Sequence, residues 1–178
     1  MNLKKLKIIS AIGIFILCFP LHFLYDWFPN SFFALFTPVN ESIWEHMKLI
    51  FTATIIWSVI DYIIMIKKEI KFNNFFTQIF LTSFLSIPLY LVIFLPIYHK
   101  IGENMFLSIS LMGIVIILLQ TLGYYVLKSK ECNILNYLSI VLIIITYIVF
   151  GYLTYHAPHN YIFFDTKEEK YGLNNYNA

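Results

Sequence analysis

The sequence predicts an all-α integral membrane bundle of about five transmembrane helices. Of its 178 residues, 60% are hydrophobic and only 12% are charged, whereas about 25% of residues are charged in a typical soluble domain. Several apolar runs reach the roughly 20 residues that an α-helix needs to cross a bilayer. These runs are continuous rather than alternating, which argues against a β-barrel. We therefore expect residues 1–178 to form a single multi-pass domain in a cell membrane.

The apolar runs place the spans in chain order. They cover residues 6–25, 47–66, 75–97, 105–127 and 134–155, approximately. Between the first two spans, segment 27–42 is too long and too aromatic for a bare loop, and it predicts a short interfacial or re-entrant piece. Pro20 and Pro88 lie inside spans and predict kinks.

The lysines predict the orientation of the bundle. All twelve basic residues are lysine, and eight of them lie at the N-terminus or in the loops after the second and fourth spans. Because lysine is enriched on the cytoplasmic side, the N-terminus is predicted inside and the C-terminus outside. No basic patch is interleaved with aromatic residues, so the expected partner is the lipid bilayer and not a nucleic acid.

On this topology all five histidines fall on the outer side, together with most of the carboxylates. These histidines are His22, His46, His99, His156 and His159. The densest group of polar side chains lies in segment 37–46, where a loop passes into the second span. This segment is therefore the first place to look for a functional site.

Within this segment, Ser42 and Glu45 have the spacing of a capping box. The Ser42 hydroxyl would accept the amide hydrogen of Glu45, and the Glu45 carboxylate would return to the Ser42 amide. Such a cap is a complete structural account of both residues, but it does not require Glu41 or His46. Carboxylates at positions 41 and 45 repel each other unless a proton or a cation lies between them.

Two other segments bring similar groups to the same depth. His22 and Asp26 share a helix face at the end of the first span, and His159 follows the last span. Neutral imidazole and carboxylate are the ligands that zinc and other divalent metals use in proteins. A lone histidine at a membrane interface, however, is more often a hydrogen-bonded anchor.

The sequence thus yields a set of candidate site residues. The predicted metal ligands are His22, Asp26, His46 and His159, with Asp26 either a ligand or a residue that orients one. Glu41 is the predicted general base, Glu45 is a second candidate catalytic carboxylate, and Asn40 and Ser42 are polar contacts.

Asp61 is the acidic residue that lies clearly inside a span. An acid within the membrane is a functional candidate by default. Lys68 lies two turns further along the same face, and an Asp61–Lys68 ion pair would explain the acid equally well. Gln120, in the fourth span, is expected to make a hydrogen bond between helices.

Residues 37–49, which read TPVNESIWEHMKL, resemble the hallmark stretch of a family of small multi-spanning membrane proteins of unknown function. That family is found mainly in Gram-positive bacteria. The segment Leu21–Phe23 and the tail from Pro158 to Gly172 are similar to the family's pattern, more weakly. Ala157 stands where the family often has a second proline, so His156 is left out of the predicted ligands. The resemblance implies a multi-pass membrane protein and supplies no catalytic residues.

Three functions remain open from the sequence. The first is a metal-dependent, membrane-embedded hydrolase that uses zinc or another divalent metal at the outer face. The second is a protein that binds or transports a small solute or a cation, for which Asp61 should matter as much as His46. The third is a purely structural membrane component, in which the polar groups only cap helices and anchor them at the interface.

Overall fold

The computed structural model describes residues 1–102 and 104–173. In this part of the chain, seven helices are followed by a small antiparallel hairpin. The helices are α1 (Leu3–Trp27), α2 (Ser31–Phe36), α3 (Ile43–Lys67), α4 (Phe75–Phe84), α5 (Ser86–Ile101), α6 (Met105–Lys128) and α7 (Asn133–Tyr155). The strands are β1 (Phe164–Asp165) and β2 (Lys170–Tyr171).

Among the described residues, five helical units are long and apolar enough to cross a membrane. They are α1, α3, α4 together with α5, α6, and α7. The all-α bundle of about five spans predicted from the sequence is therefore confirmed. The orientation of the bundle stays a prediction.

The third span is interrupted at Leu85, between α4 and α5. Because Pro88 has no amide hydrogen, the carbonyl of Phe84 loses the partner that a regular helix would supply four residues later. Backbone hydrogen bonds continue on both sides of this point, from the Leu85 amide to Leu81 and from the Leu89 amide to Leu85. The proline therefore perturbs the helix one turn before its own position. Pro20, by contrast, lies within a continuous α1.

The segment between the first two spans folds back along the beginning of α3. Its short helix α2 is capped by Asn30, whose side chain accepts the amide hydrogens of Phe32 and Phe33. At its other end, the Phe36 carbonyl accepts a hydrogen bond from the Thr52 hydroxyl at 2.7 Å. The segment therefore runs beside α3 before it returns to the start of that helix.

A buried ion pair links the N-terminal part of α1 to the C-terminal part of α3, and a hydrogen bond connects it to α6. The Lys7 ammonium lies 2.8 Å from Asp61 Oδ2, and the Ser10 hydroxyl donates to Asp61 Oδ1 at 2.7 Å. Lys7 also donates to Gln120 Oε1 at 3.2 Å, which is the interhelical hydrogen bond predicted for Gln120. The predicted partner Lys68 instead occupies the C-cap of α3. The acid thus pairs with a lysine on a neighbouring helix and not with one on its own.

Candidate functional site

Three side chains converge where α1 ends and α3 begins. Ligand atoms of His22, Glu41 and His46 all lie within 4.8 Å of one another. The two imidazole Nε2 atoms are 3.0 Å apart. Glu41 Oε1 lies 3.9 Å from His22 Nε2, and Glu41 Oε2 lies 3.7 Å from His46 Nε2. The carboxylate therefore faces both imidazoles.

The backbone fixes the tautomer of His46. Its Nδ1 lies 2.8 Å from the carbonyl oxygen of Ser42, and because a carbonyl only accepts, the hydrogen is on Nδ1. A neutral His46 then directs the lone pair of Nε2 towards His22. This is how a histidine that ligates a metal is usually oriented, by a hydrogen bond from its other ring nitrogen.

His22 completes the pair in one of two ways. It can donate an Nε2 hydrogen to His46, or both Nε2 lone pairs can bind one cation. Its Nδ1 is buried and has no hydrogen-bond partner within residues 1–102 and 104–173. The first arrangement leaves Nδ1 as an unpaired acceptor, whereas the second makes it an unpaired donor.

The spacing of the three groups fits a divalent metal. Two nitrogen ligands at 2.0–2.1 Å from a tetrahedral zinc ion lie about 3.4 Å apart, so the observed 3.0 Å requires only a small shift. The three side chains are 24%, 34% and 30% exposed, in sequence order. The group is thus accessible from one side, where a water or a substrate can reach it.

A lysine from the terminal hairpin lies beside Glu41. The ammonium of Lys167, in the turn between β1 and β2, is 3.3 Å from Glu41 Oε2, and its side chain is 60% exposed. An exposed ion pair of this kind contributes little to stability, about 0–1 kcal/mol. Its importance is positional, because it brings a positive charge to the rim of the site.

Asp165 holds the hairpin and the loop before α3 together. This residue is fully buried, and its Oδ2 accepts the amide hydrogen of Glu41 at 2.8 Å. Its Oδ1 accepts the amide hydrogens of Lys167 at 2.7 Å and of Glu168 at 3.2 Å. One carboxylate therefore sets the relative positions of Glu41 and Lys167.

Asn40 and Ser42, the predicted polar contacts, form hydrogen bonds that stabilise the loop before α3. Asn40 Oδ1 accepts the Ser42 amide hydrogen at 2.9 Å, and its Nδ2 donates to the Gly172 carbonyl at 2.9 Å. Nearby, the Trp44 ring stacks on Phe163 with centroids 4.9 Å apart. The tail after α7 thus packs against the loop that carries Glu41.

The capping box is only half formed. The Ser42 hydroxyl accepts the Glu45 amide hydrogen at 3.3 Å, as predicted. The Glu45 carboxylate does not return to the Ser42 amide, because Asn40 already satisfies that group. Instead, Glu45 Oε2 accepts the Val39 amide hydrogen at 3.1 Å.

Glu45 is also ion-paired with Lys48, a fully buried residue that the sequence pattern places among the ordinary lysines of the outer side. Lys48 donates to Glu45 Oε2 at 2.7 Å, to the Ala34 carbonyl at 2.9 Å and to the Thr154 hydroxyl. These contacts use all three hydrogens of the ammonium group. The sequence contains an indication of this ion pair, because a lysine stands three residues after a glutamate at the beginning of an otherwise apolar span.

The remaining candidates lie elsewhere. Asp26 is exposed in the last turn of α1, and His159 is exposed with its ring stacked on Tyr171, the centroids being 4.5 Å apart. In the part of the chain that is described, neither joins the group within 4.8 Å. Asp61 lies in the separate ion pair with Lys7. The structure therefore groups two of the four predicted ligands, His22 and His46, with Glu41.

Comparison with curated proteins and with solved structures finds no match. A model of a family of unknown function, DUF6512, matches residues 1–173. The matched region includes all the helices described above, the loop that carries Glu41 and the terminal hairpin. The chain is therefore a member of the DUF6512 family.

Proposed function

We propose that the protein is a metal-dependent, membrane-embedded hydrolase whose divalent ion is held by His22, Glu41 and His46. The observation that carries this proposal is the convergence of their ligand atoms within 4.8 Å. Two histidines and one glutamate, with a fourth position open to water, form the ligand set of several zinc hydrolases. A metal bound in this way supplies a water molecule whose pKa is lowered to about 7 and which can act as a nucleophile.

In this proposal Glu41 acts as the third ligand and not as the general base suggested by the sequence. Its two oxygens face the two imidazoles at similar distances, 3.9 and 3.7 Å. Glu45 takes no direct part, because its carboxylate is buried against Lys48. Its role is to hold the first turn of α3, and therefore His46, in place.

The lysine distribution supports placing this site on the outer side of the membrane. With the N-terminus inside, α1 ends and α3 begins at the outer surface. The proposed metal then lies at the boundary between lipid and water, and substrates reach it from outside the cell.

Metal analysis of detergent-purified protein tests the proposal. We expect about one divalent ion per chain after incubation with zinc and removal of the excess. His22→Ala and His46→Ala should each reduce the bound metal at least tenfold. His156→Ala is the matched control, since its ring is stacked on Tyr152 outside the group, and it should retain the metal.

Two results would contradict the proposal. Wild-type protein that binds no stoichiometric metal would leave the structural function, helix capping and interface anchoring, as the better account. Equal metal binding by the wild type and the two histidine variants would place the ion somewhere else.

A further inference from the structure

The charge of the occupied site determines what kind of ligand it favours. Lys167 is ion-paired with Glu41 across 3.3 Å. A divalent ion bound to Glu41 and the two neutral imidazoles would take over that role, and the ammonium would then be available to another anion. The metal and Lys167 would bring three positive charges to the open side of the site, against one negative charge each on Glu41 and on Asp26, which interacts electrostatically with His22. The third carboxylate, that of Asp165, is buried behind the loop and is engaged by three backbone amide hydrogens. The open side of the occupied site is therefore positively charged.

The position of Lys167 is set by the fold. Its backbone amide is bound by Asp165, which is fully buried and also binds the Glu41 amide. The side chain extends from this fixed point and is 60% exposed. An ammonium held in this manner can contact a ligand on the open side of the metal without rearrangement of the backbone.

The location of the site favours phosphate among the possible anions. The group lies at the ends of two apolar, membrane-length helices, which is the level of lipid headgroups. Metal ions and lysines that converge on one group form the usual clamp for phosphoryl oxygens, and lysine binds phosphate as a point charge.

We infer that the substrate of the proposed hydrolase carries a phosphate group, bound jointly by the metal and by Lys167. This inference rests on the proposed function. Asp165 would be a positioning residue that sets the distance between the two phosphate-binding groups.

Cobalt-substituted protein provides the test, because the visible spectrum of Co²⁺ reports on ligands that enter its coordination sphere. Inorganic phosphate should change the spectrum saturably. Lys167→Gln should weaken phosphate binding about two- to fivefold, the effect expected of one partly exposed charge, whereas Lys167→Arg should restore most of it. Cobalt affinity should not fall in Lys167→Gln, since the lysine competes with the metal for Glu41.

Lys170→Gln is the matched control. Lys170 lies on the same hairpin but is ion-paired with Glu168, so phosphate binding should change less than twofold. Unchanged circular dichroism and gel-filtration behaviour would show that each variant is folded.

The outcomes separate the inference from the proposed function. If cobalt binds but phosphate leaves its spectrum unchanged, or binds equally to the wild type and Lys167→Gln, the phosphate inference is wrong and the metal site stands. If cobalt does not bind, both are wrong. A parallel titration with phosphatidic acid in detergent micelles identifies the source of the group, because binding tighter than that of inorganic phosphate indicates a lipid and equal binding a soluble phosphate ester.

Discussion

Lys48 shows, at the scale of one residue, how a charge can be buried completely in this bundle. Its ammonium binds a carboxylate, a backbone carbonyl and a hydroxyl, which belong to α3, α2 and α7. Burial of an ion pair costs several kcal/mol in desolvation, which good geometry and further hydrogen bonds can offset. Removal of one partner leaves the other charge unpaired, and this is strongly destabilising.

We therefore expect Lys48→Met to destabilise the protein by about 3–5 kcal/mol, since Glu45 would remain buried without its partner. Thermal unfolding in detergent measures the loss. The double variant Lys48→Met with Glu45→Gln should recover much of it, because no unpaired charge remains. A single variant as stable as the wild type would show that Lys48 is not buried as described.

Gly172 is a second residue with a large predicted effect. Its φ is +54°, and a Cβ there would overlap the carbonyl oxygen of Thr154. Gly172→Ala should cost at least about 1–2 kcal/mol from the left-handed backbone alone, and the overlap adds to this. The expected result is release of the terminal hairpin, detected as faster proteolysis of the tail.

Gly102→Ala is the matched control for this effect. Gly102 also has a positive φ, +81°, but no described atom lies within 4 Å of the point that a Cβ would occupy. It carries the backbone strain without the overlap and should leave the tail protected. Equal protection of the tail in both variants would argue against its docking on Thr154.

At the scale of elements, the spans were predictable and their contacts were not. The length and polarity of an apolar run are local properties, so the five spans and the perturbation near Pro88 could be anticipated. Contacts between helices join residues far apart in the chain. Asp61 pairs with a lysine 54 residues away, whereas its own helix face offers only Lys68.

The pair of Lys7 and Asp61 predicts how α1 and α3 are held together. Asp61→Asn should destabilise the bundle by about 3 kcal/mol, because it leaves a buried lysine without a charged partner. Unfolding in detergent measures this, and the double variant with Lys7→Met should be closer to the wild type. If Asp61→Asn were as stable as the wild type but lost a transport activity, the acid would serve a solute or cation pathway.

At the scale of the whole molecule, the candidate site is built by the tail as well as by the spans. The sequence suggested that the tail contributes His159, but the structure uses Asp165 and Lys167 from the hairpin instead. A short polar tail carries no periodicity from which its docking can be inferred. His22 and His46 could be anticipated because each lies at a span end, whereas the distance between them depends on how α1 packs on α3.

The predicted orientation can be tested by cysteine labelling in cells. With Cys18 and Cys132 replaced by serine, a membrane-impermeant maleimide should label Asn160→Cys in intact cells, because this position follows the last span. Lys71→Cys, in the loop after α3, should react only after permeabilisation. The reverse pattern would place the candidate site on the cytoplasmic side.

X-ray absorption at the metal edge of zinc-loaded protein tests the central claim most directly. The proposed site predicts nitrogen and oxygen ligands at about 2.0–2.2 Å, with the outer-shell scattering of two imidazoles, and the loss of this signal in His46→Ala. A metal bound through sulfur at about 2.3 Å, or no stoichiometric metal at all, would contradict it.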